Sequence, residues 1–213
     1  GRSHLQSYEK AVRMMKSGSV TAFNLDEEDA ALRDAYGRNS FGQGCLLARR
    51  LIERGVSFVE VSLSETANGG VIGWDTHTDN FNAVKSLCGV LDPAWATLMN
   101  DLKQRGMLEN TLVIWMGEFG RTPMSQGGSG RDHHNKAMSV WMAGAGIQGG
   151  IVHGATDDLG YAAIEKITTV HDLHATMLHQ LGIDHKAFSF KFQGLDARLS
   201  GVEGAKVIKD ILA

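Results

Sequence analysis

Apolar positions in this chain recur at two periods, and each period predicts a different kind of element. Leu5, Tyr8, Val12 and Met15 follow three- and four-residue steps up to Gly18, which predicts a helix over residues 5–16. Asp26, with Asp29 three residues on, predicts a cap for a second helix ending at Tyr36 and Gly37. These lead-in helices are expected to act as packing elements. Residues 45–54 carry an apolar stripe and stop at Gly55, a third helix, and it runs straight into residues 56–63 (Val-Ser-Phe-Val-Glu-Val-Ser-Leu), which alternate as a strand does. A long helix is predicted over residues 81–106 from Val90, Leu91, Trp95, Leu98, Met99 and Leu102, with Pro93 predicting a kink or a restart capped by Asp92.

Residues 111–116 are almost continuously apolar, as in a strand covered on both faces, and residues 137–143 predict a further strand. The glycine-rich stretch 144–154 predicts turns. Thr169 and Asp172 form the pattern of a capping box for a helix over residues 170–181, which Gly182 ends. Residues 188–192 (Phe-Ser-Phe-Lys-Phe) alternate like an edge or surface strand. Strands spaced by helices of this length predict an α/β fold with a mostly parallel sheet covered on both faces.

Composition narrows the partners. A chain of 213 residues with 43% hydrophobic content can bury a sizeable core, and a formal charge of -3 offers no general basic field for a nucleic-acid backbone, so no nucleic acid is expected. No run approaches the roughly 18 apolar residues of a membrane span, and residues 1–6 lack the apolar core of a signal. The chain starts at Gly1 rather than Met, as a mature or excised product would, so the missing signal says little. The compartment stays open, with export of a parent protein to the periplasm or the exterior as one option. Cys45 and Cys88 lie in apolar helical contexts without close spacing, which favours two buried thiols over a disulfide.

The chemistry concentrates in three polar segments flanked by glycine, each placed just after an apolar stretch, where an open α/β sheet gathers its ligand-binding groups. In the first, Asp75 and His77 are two apart and share a face if the backbone is extended, so an oxygen and a nitrogen donor could meet one ion; a hydrogen-bonded loop with a solvated His is the plain alternative. In the second, Glu118 ends an apolar run, Gly120 permits a tight turn, and Arg121 presents a planar fork suited to phosphate or sulfate; a simple Glu–Arg salt bridge fits the spacing equally well. In the third, Asp132, His133 and His134 follow a flexible 126–130 loop. Successive side chains diverge, so Asp132 and one His are the expected ligands, with the other His behind them or facing substrate. His153 is a weaker candidate, and His171, His174 and His179 read as helix-surface residues.

Together, Gly-Trp-Asp-Thr-His at 73–77, Gly-Glu-Phe-Gly-Arg-Thr-Pro at 117–123, Gly-Arg-Asp-His at 130–133, Gly-Ala-Thr-Asp at 154–157 and Asp-Leu-His-Ala-Thr-Met-Leu-His-Gln-Leu-Gly at 172–182 resemble the uncharacterised sulfatase-like family (domain of unknown function 1501) within the alkaline phosphatase superfamily, over about residues 36–198. The resemblance implies a three-layer α/β/α sandwich, with residues 1–213 as one such α/β domain and residues 1–40 as a helical lead-in packed on it. It implies that Asp75 and His77 bind one ion of a two-metal site, that Glu118 and His133 are further ligands, and that Arg121 faces a phosphate or sulfate. Glu118-Phe119 stands where an Asp-His pair is more usual, one imidazole fewer. Because the superfamily's first strand and its Ser, Thr or Cys nucleophile are not visible before residue 56, the resemblance also implies the C-terminal half of a longer enzyme.

The expected function is therefore the metal-binding part of a hydrolase of small phosphate or sulfate esters, using one or two divalent ions (Zn, Mn or Ca). The alternatives are a non-catalytic metal- or anion-binding scaffold of the same fold, or a metal-dependent peptidase or amidase. Oligomeric state is left open.

Overall fold

A computed structural model describes residues 4–5, 7–9, 12, 18–64 and 73–213. The chain divides into two compact units, Gly1–Gln104 and Arg105–Ala213. Of the first predicted helix, residues 5, 7–9 and 12 are helical; residues 6, 10–11 and 13–16 lie outside the described residues. Leu5 and Tyr8 are exposed, so these positions do not serve as packing residues.

The first unit is helical. Helix α1 (Ala30–Tyr36) starts where the Asp29 carboxylate accepts the Ala31 N–H at 2.7 Å, and α2 (Ser40–Glu53) starts where the Asn39 side chain accepts the Gly42 N–H at 2.8 Å. Gly42 lies so close to the preceding chain that a Cβ there would sit 2.0 Å from the Tyr36 carbonyl oxygen, which sets the tight α1–α2 corner. Helix α3 (Asn80–Gln104) runs through Pro93 as one element instead of restarting at Asp92. The carbonyl that a proline ring crowds is four residues back, and here that residue is Gly89, with no side chain to add to the conflict. Tyr36, Phe41, Cys45 and Leu46 pack with Leu87, Ala94, Leu98 and Leu102 to form the core of this unit.

That core holds a charge cluster that the apolar stripe over residues 45–54 does not announce. Arg49 is 1% exposed, with its guanidinium 2.7 Å from Glu28, 2.8 Å from Glu53 and 2.9 Å from Asp101. The Tyr36 hydroxyl donates to the same Asp101 carboxylate at 2.9 Å, and burial together with that carboxylate pushes the phenol up. Arg50 donates to the carbonyl oxygens of Thr21 and Ala22 at 2.7 and 2.8 Å and pairs with Glu27 and Glu28. Buried guanidinium groups need this degree of pairing, because an isolated ion there would cost several kcal/mol.

A pH dependence follows from the cluster. Burial pushes the Glu28 carboxyl up, but hydrogen bonds from Arg49 and Arg50 outweigh it and hold the group below its ordinary value of 4.5. The Arg50 hydrogen bond does the same to the exposed Glu27. A carboxyl lowered in the folded state contributes stability that is present above its unfolded value and lost as pH falls through the folded value. The melting temperature of the first unit is expected to be flat from neutral pH to about 5 and to fall below about 4.5. Glu28→Gln is expected to shallow that acid limb, as read by circular dichroism across pH 2–7.

The second unit is built from short antiparallel pairs and one helix. Strand β1 (Val113–Trp115) pairs with β4 (Trp141–Ala143), β2 (Gly120–Gln126) with β3 (Gly130–His134), β5 (Ala155–Thr156) with β6 (Ala163–Glu165), and β7 (Phe190–Phe192) with β8 (Leu195–Ala197). Helix α4 (Val170–Gln180) carries the full capping box between Thr169 and Asp172, and Leu173, Ala175 and Leu178 are its buried face. Asp172 also accepts the Lys206 N–H at 2.7 Å, and the Thr176 hydroxyl accepts the Ile208 N–H at 2.9 Å, so the C-terminal segment is held along α4.

The expectation of a mostly parallel sheet in a three-layer α/β/α sandwich is overturned. Every pairing among the described residues is antiparallel, and each sheet has two strands. The residues 56–63 read as a strand belong to none, and Phe58 is 63% exposed. Alternation and β-branched content show only that a segment suits a pleated surface; a strand exists when another chain segment supplies its ladder. The reading of residues 111–116 and 137–143 as strands is right in kind, but they pair with each other directly, Ile114 opposite Met142, rather than as members of a larger sheet. No helix among the described residues is long and apolar enough to cross a membrane.

Candidate functional site

The sequence candidates fall in both units, and each set has its own geometry. In the second unit, Arg121 and His133 are register partners on the β2–β3 hairpin. Residues directly opposite on antiparallel strands project to the same face, so a guanidinium and an imidazole stand side by side. The Phe119 ring lies 4.3 Å from the His133 ring and 5.5 Å from the Arg121 guanidinium carbon, an apolar backing for both groups. A Cβ on Gly120 would sit 1.9 Å from the Ala137 carbonyl oxygen, so only glycine lets the hairpin start there. Pro123 has no N–H for a ladder, and the register shifts between Arg121 and Ser125 around it. Gly127 and Gly128, with φ of +58° and +92°, make the turn.

The other residues named in these segments behave differently. Glu118 is exposed and makes no ion pair among the described residues, so the Glu118–Arg121 salt bridge that the spacing allows does not form. The Asp132 carboxylate accepts the His133 N–H at 2.7 Å, while its own N–H donates to the Thr122 hydroxyl at 3.0 Å. His134 is buried; its Nε2 lies 2.6 Å from the Tyr161 carbonyl oxygen, which accepts, so this nitrogen carries the proton and the ring ties β3 to the loop at 157–161. Asp157 organises that loop by accepting the N–H groups of Leu159, Tyr161 and Ala162, and these bonds, the one from Tyr161 first, hold its carboxyl below the usual range.

In the first unit, Asp75 Oδ1 and His77 Nε2 are 2.9 Å apart, with the carboxylate more open to solvent than the imidazole. The spacing of two thus brings the two donors together. Between them Thr76 is buried and donates to the Asn80 side chain at 2.7 Å, which fixes the loop to the start of α3. Two ligands about 2.1 Å from one tetrahedral ion are about 3.4 Å apart, so the pair needs only a small opening to share one. One oxygen and one nitrogen suit Zn or Mn better than Ca, which prefers oxygen alone.

His171 and His174 make contacts within the fold. His174 Nδ1 lies 3.0 Å from the Leu199 carbonyl oxygen, and the His171 ring packs so closely on Gly201 that a Cβ there would come within 2.9 Å. His153 lies near enough to Asp210 for its charge to act on that carboxyl, below the Lys166–Asp210 pair. Sequence reasoning passed over a recess of about 410 Å³ at the end of α4, lined by His179, Gly182, Ile183, Asp184 and His185. His185 Nδ1 is buried without a hydrogen-bond partner there, and no local pattern signals it. Both cysteines are free thiols; burial pushes Cys45 up to about 12 and also raises Cys88, so neither is poised as a nucleophile.

A family model described as "Protein of unknown function (DUF1501)" matches residues 2–212, while no curated protein and no solved structure matches the chain. The reading of this chain as the C-terminal half of a sulfatase-like enzyme is corrected to a match with that family model over residues 2–212, and nothing found relates it to sulfatases. With nearly its whole length covered by that one model, the chain belongs to the DUF1501 family.

Proposed function

We propose that this protein is a divalent-cation-dependent hydrolase of small phosphate or sulfate esters. The observation that supports the reading most is the Arg121–His133 register pair on the β2–β3 hairpin. A fork of fixed donors and an imidazole on one face match a tetrahedral oxyanion, and charge-assisted hydrogen bonds to such an anion are about twice as strong as neutral ones. Phe119 holds both groups against an apolar ring, which limits their motion and raises the effect of their charge on a bound anion.

Asp75 and His77 are the ligands proposed for a cation in the first unit, and Glu118, Asp132 and His133 are the candidate donors of the second unit, each to be tested by itself. A cation bound there supplies Lewis acidity, neutralising charge on an ester oxygen. Arg121 orients the anion and stabilises charge that grows on its oxygens. His133 donates a hydrogen bond to the anion through a ring N–H.

A second reading, a non-catalytic binder of cations and anions, is favoured by one observation: burial holds both thiols in their neutral form. The test is hydrolysis of an aryl phosphate and an aryl sulfate by the full chain with and without Zn or Mn, alongside metal analysis. About one or two ions per chain are expected, with ion retention lost in Asp75→Ala/His77→Ala and turnover falling at least about 100-fold in Arg121→Ala. Cation- and phosphate-dependent melting without turnover would select the binder. Equal metal content in the wild type and the double variant would overturn the cation assignment.

A further inference from the structure

Two cation ligands on a loop bind well when something other than the ion holds them together, because otherwise the ion must order the loop as it binds. The residue between Asp75 and His77 is placed to do this. Thr76 is 6% exposed, whereas the side chains of Asp75 and His77 on either side of it are 57% and 35% exposed. A buried hydroxyl needs a partner, and that of Thr76 donates to Asn80 Oδ1 at 2.7 Å. Its backbone N–H donates to the Trp74 carbonyl oxygen at 3.0 Å, which closes a γ-turn with Asp75 at its centre. One residue thus fixes the chain before it through its N–H and the chain after it through its side chain. Asn80 is the first residue of α3, whose Leu87, Leu91, Ala94, Leu98 and Leu102 are buried, so the anchor belongs to a long packed helix rather than to another loop.

We infer that Thr76 is the positioning residue of the Asp75–His77 pair: its buried hydroxyl, tied to Asn80, sets the affinity of that pair for a divalent ion without touching the ion. The inference rests on the proposed cation role of Asp75 and His77. With the backbone on both sides of Thr76 held, Asp75 Oδ1 and His77 Nε2 stand 2.9 Å apart, near the separation of about 3.4 Å that one tetrahedral ion requires. Removing a group that holds metal ligands from behind costs about 10- to 100-fold in metal affinity. A role in folding alone would lower the melting temperature of Thr76 variants and leave the affinity of the folded chain unchanged.

Zinc titration of the full chain by calorimetry tests the inference, and the binding that disappears in Asp75→Ala/His77→Ala is the binding to be read. Thr76→Val keeps the shape of the side chain and removes its donor, and it is expected to weaken zinc binding by about 10- to 100-fold with unchanged far-ultraviolet dichroism. Thr76→Ser keeps the hydroxyl and is expected to retain the affinity. Asn80→Ala removes the acceptor instead and is expected to weaken binding as much as Thr76→Val does. The combination Thr76→Val/Asn80→Ala is expected to lose no more than either change alone, since the two groups are the ends of one hydrogen bond. Wild-type affinity in folded Thr76→Val, equal losses in Thr76→Ser and Thr76→Val, or losses that add in the combination would each overturn the inference and leave the cation pair standing. Equal zinc binding by the wild type and Asp75→Ala/His77→Ala would overturn the cation pair and the role of Thr76 together.

Discussion

Arg49→Ala is expected to destabilise the first unit by about 3–5 kcal/mol, the usual result of removing one partner from a buried ion pair. Arg49 is 1% exposed and answers three carboxylates, those of Glu28, Glu53 and Asp101. Truncation takes the guanidinium away from the buried Asp101 and leaves Arg50 still beside Glu28, and it also opens the space that the Arg49 side chain occupies. A loss of this size is a large part of the 5–15 kcal/mol that holds an ordinary domain folded. Tyr36→Phe, which removes only the hydroxyl donated to Asp101, is expected to cost about 1 kcal/mol. Urea denaturation followed by far-ultraviolet dichroism reads both. A loss under about 1 kcal/mol for Arg49→Ala would mean that the cluster relaxes or hydrates easily and does not organise the three helices.

The second large effect is expected from Gly120→Ala. A Cβ at this position would sit 1.9 Å from the Ala137 carbonyl oxygen and 3.3 Å from that of His134. The obstacle is backbone, so no rotamer change relieves it, and the start of β2 must move or the pairing with β3 must open. Overpacking of this kind costs about 1–3 kcal/mol when the surroundings can shift, and more when they cannot. The functional consequence exceeds the stability loss, because Arg121 is the next residue and its partnership with His133 depends on the register of this strand end. Phosphate-dependent stabilisation should vanish in Gly120→Ala, and amide exchange over residues 120–134 should rise. Gly149→Ala is the control: nothing lies within 4 Å of its added Cβ, so it is expected to be near neutral in both measurements. Unchanged phosphate-dependent stabilisation in Gly120→Ala would separate anion binding from the hairpin.

The helices and the sheet differ in how far local sequence reaches. The Thr169–Asp172 box and the Gly37 and Gly182 stops act over three or four residues, so the sequence places α4 and the C-terminal end of α1 to within about a residue, whereas α1 is capped by Asp29 rather than Asp26 and α2 starts at Ser40 rather than at residue 45. Strand pairing needs a second segment to supply the ladder, and a stretch such as 56–63 holds no information about whether a partner will come to it. The β2–β3 hairpin did carry a local signal, glycines 127 and 128 between two extended stretches, but polar ligand types there suggested loops instead. The candidate site shows the same division. Asp75 and His77 meet because they are two apart, which the sequence states directly. Glu118 stays without an ion pair among the described residues, and His134 turns to the Tyr161 carbonyl oxygen, because the backbone geometry directs each side chain after the ligand types are already set.

The amino-acid sequence alone determined α3 and α4 to within about two residues, the capping box and glycine stop of α4, and the residue types able to bind a cation or an oxyanion, since each depends on neighbours within a turn or on side-chain chemistry. Only the tertiary structure decided that the strands pair in antiparallel twos, that Arg49 and Arg50 are the charged centre of a helical unit, and that Arg121 stands opposite His133. Those outcomes rest on contacts that reach beyond a single helical turn, where burial and register choose among partners that are locally equivalent.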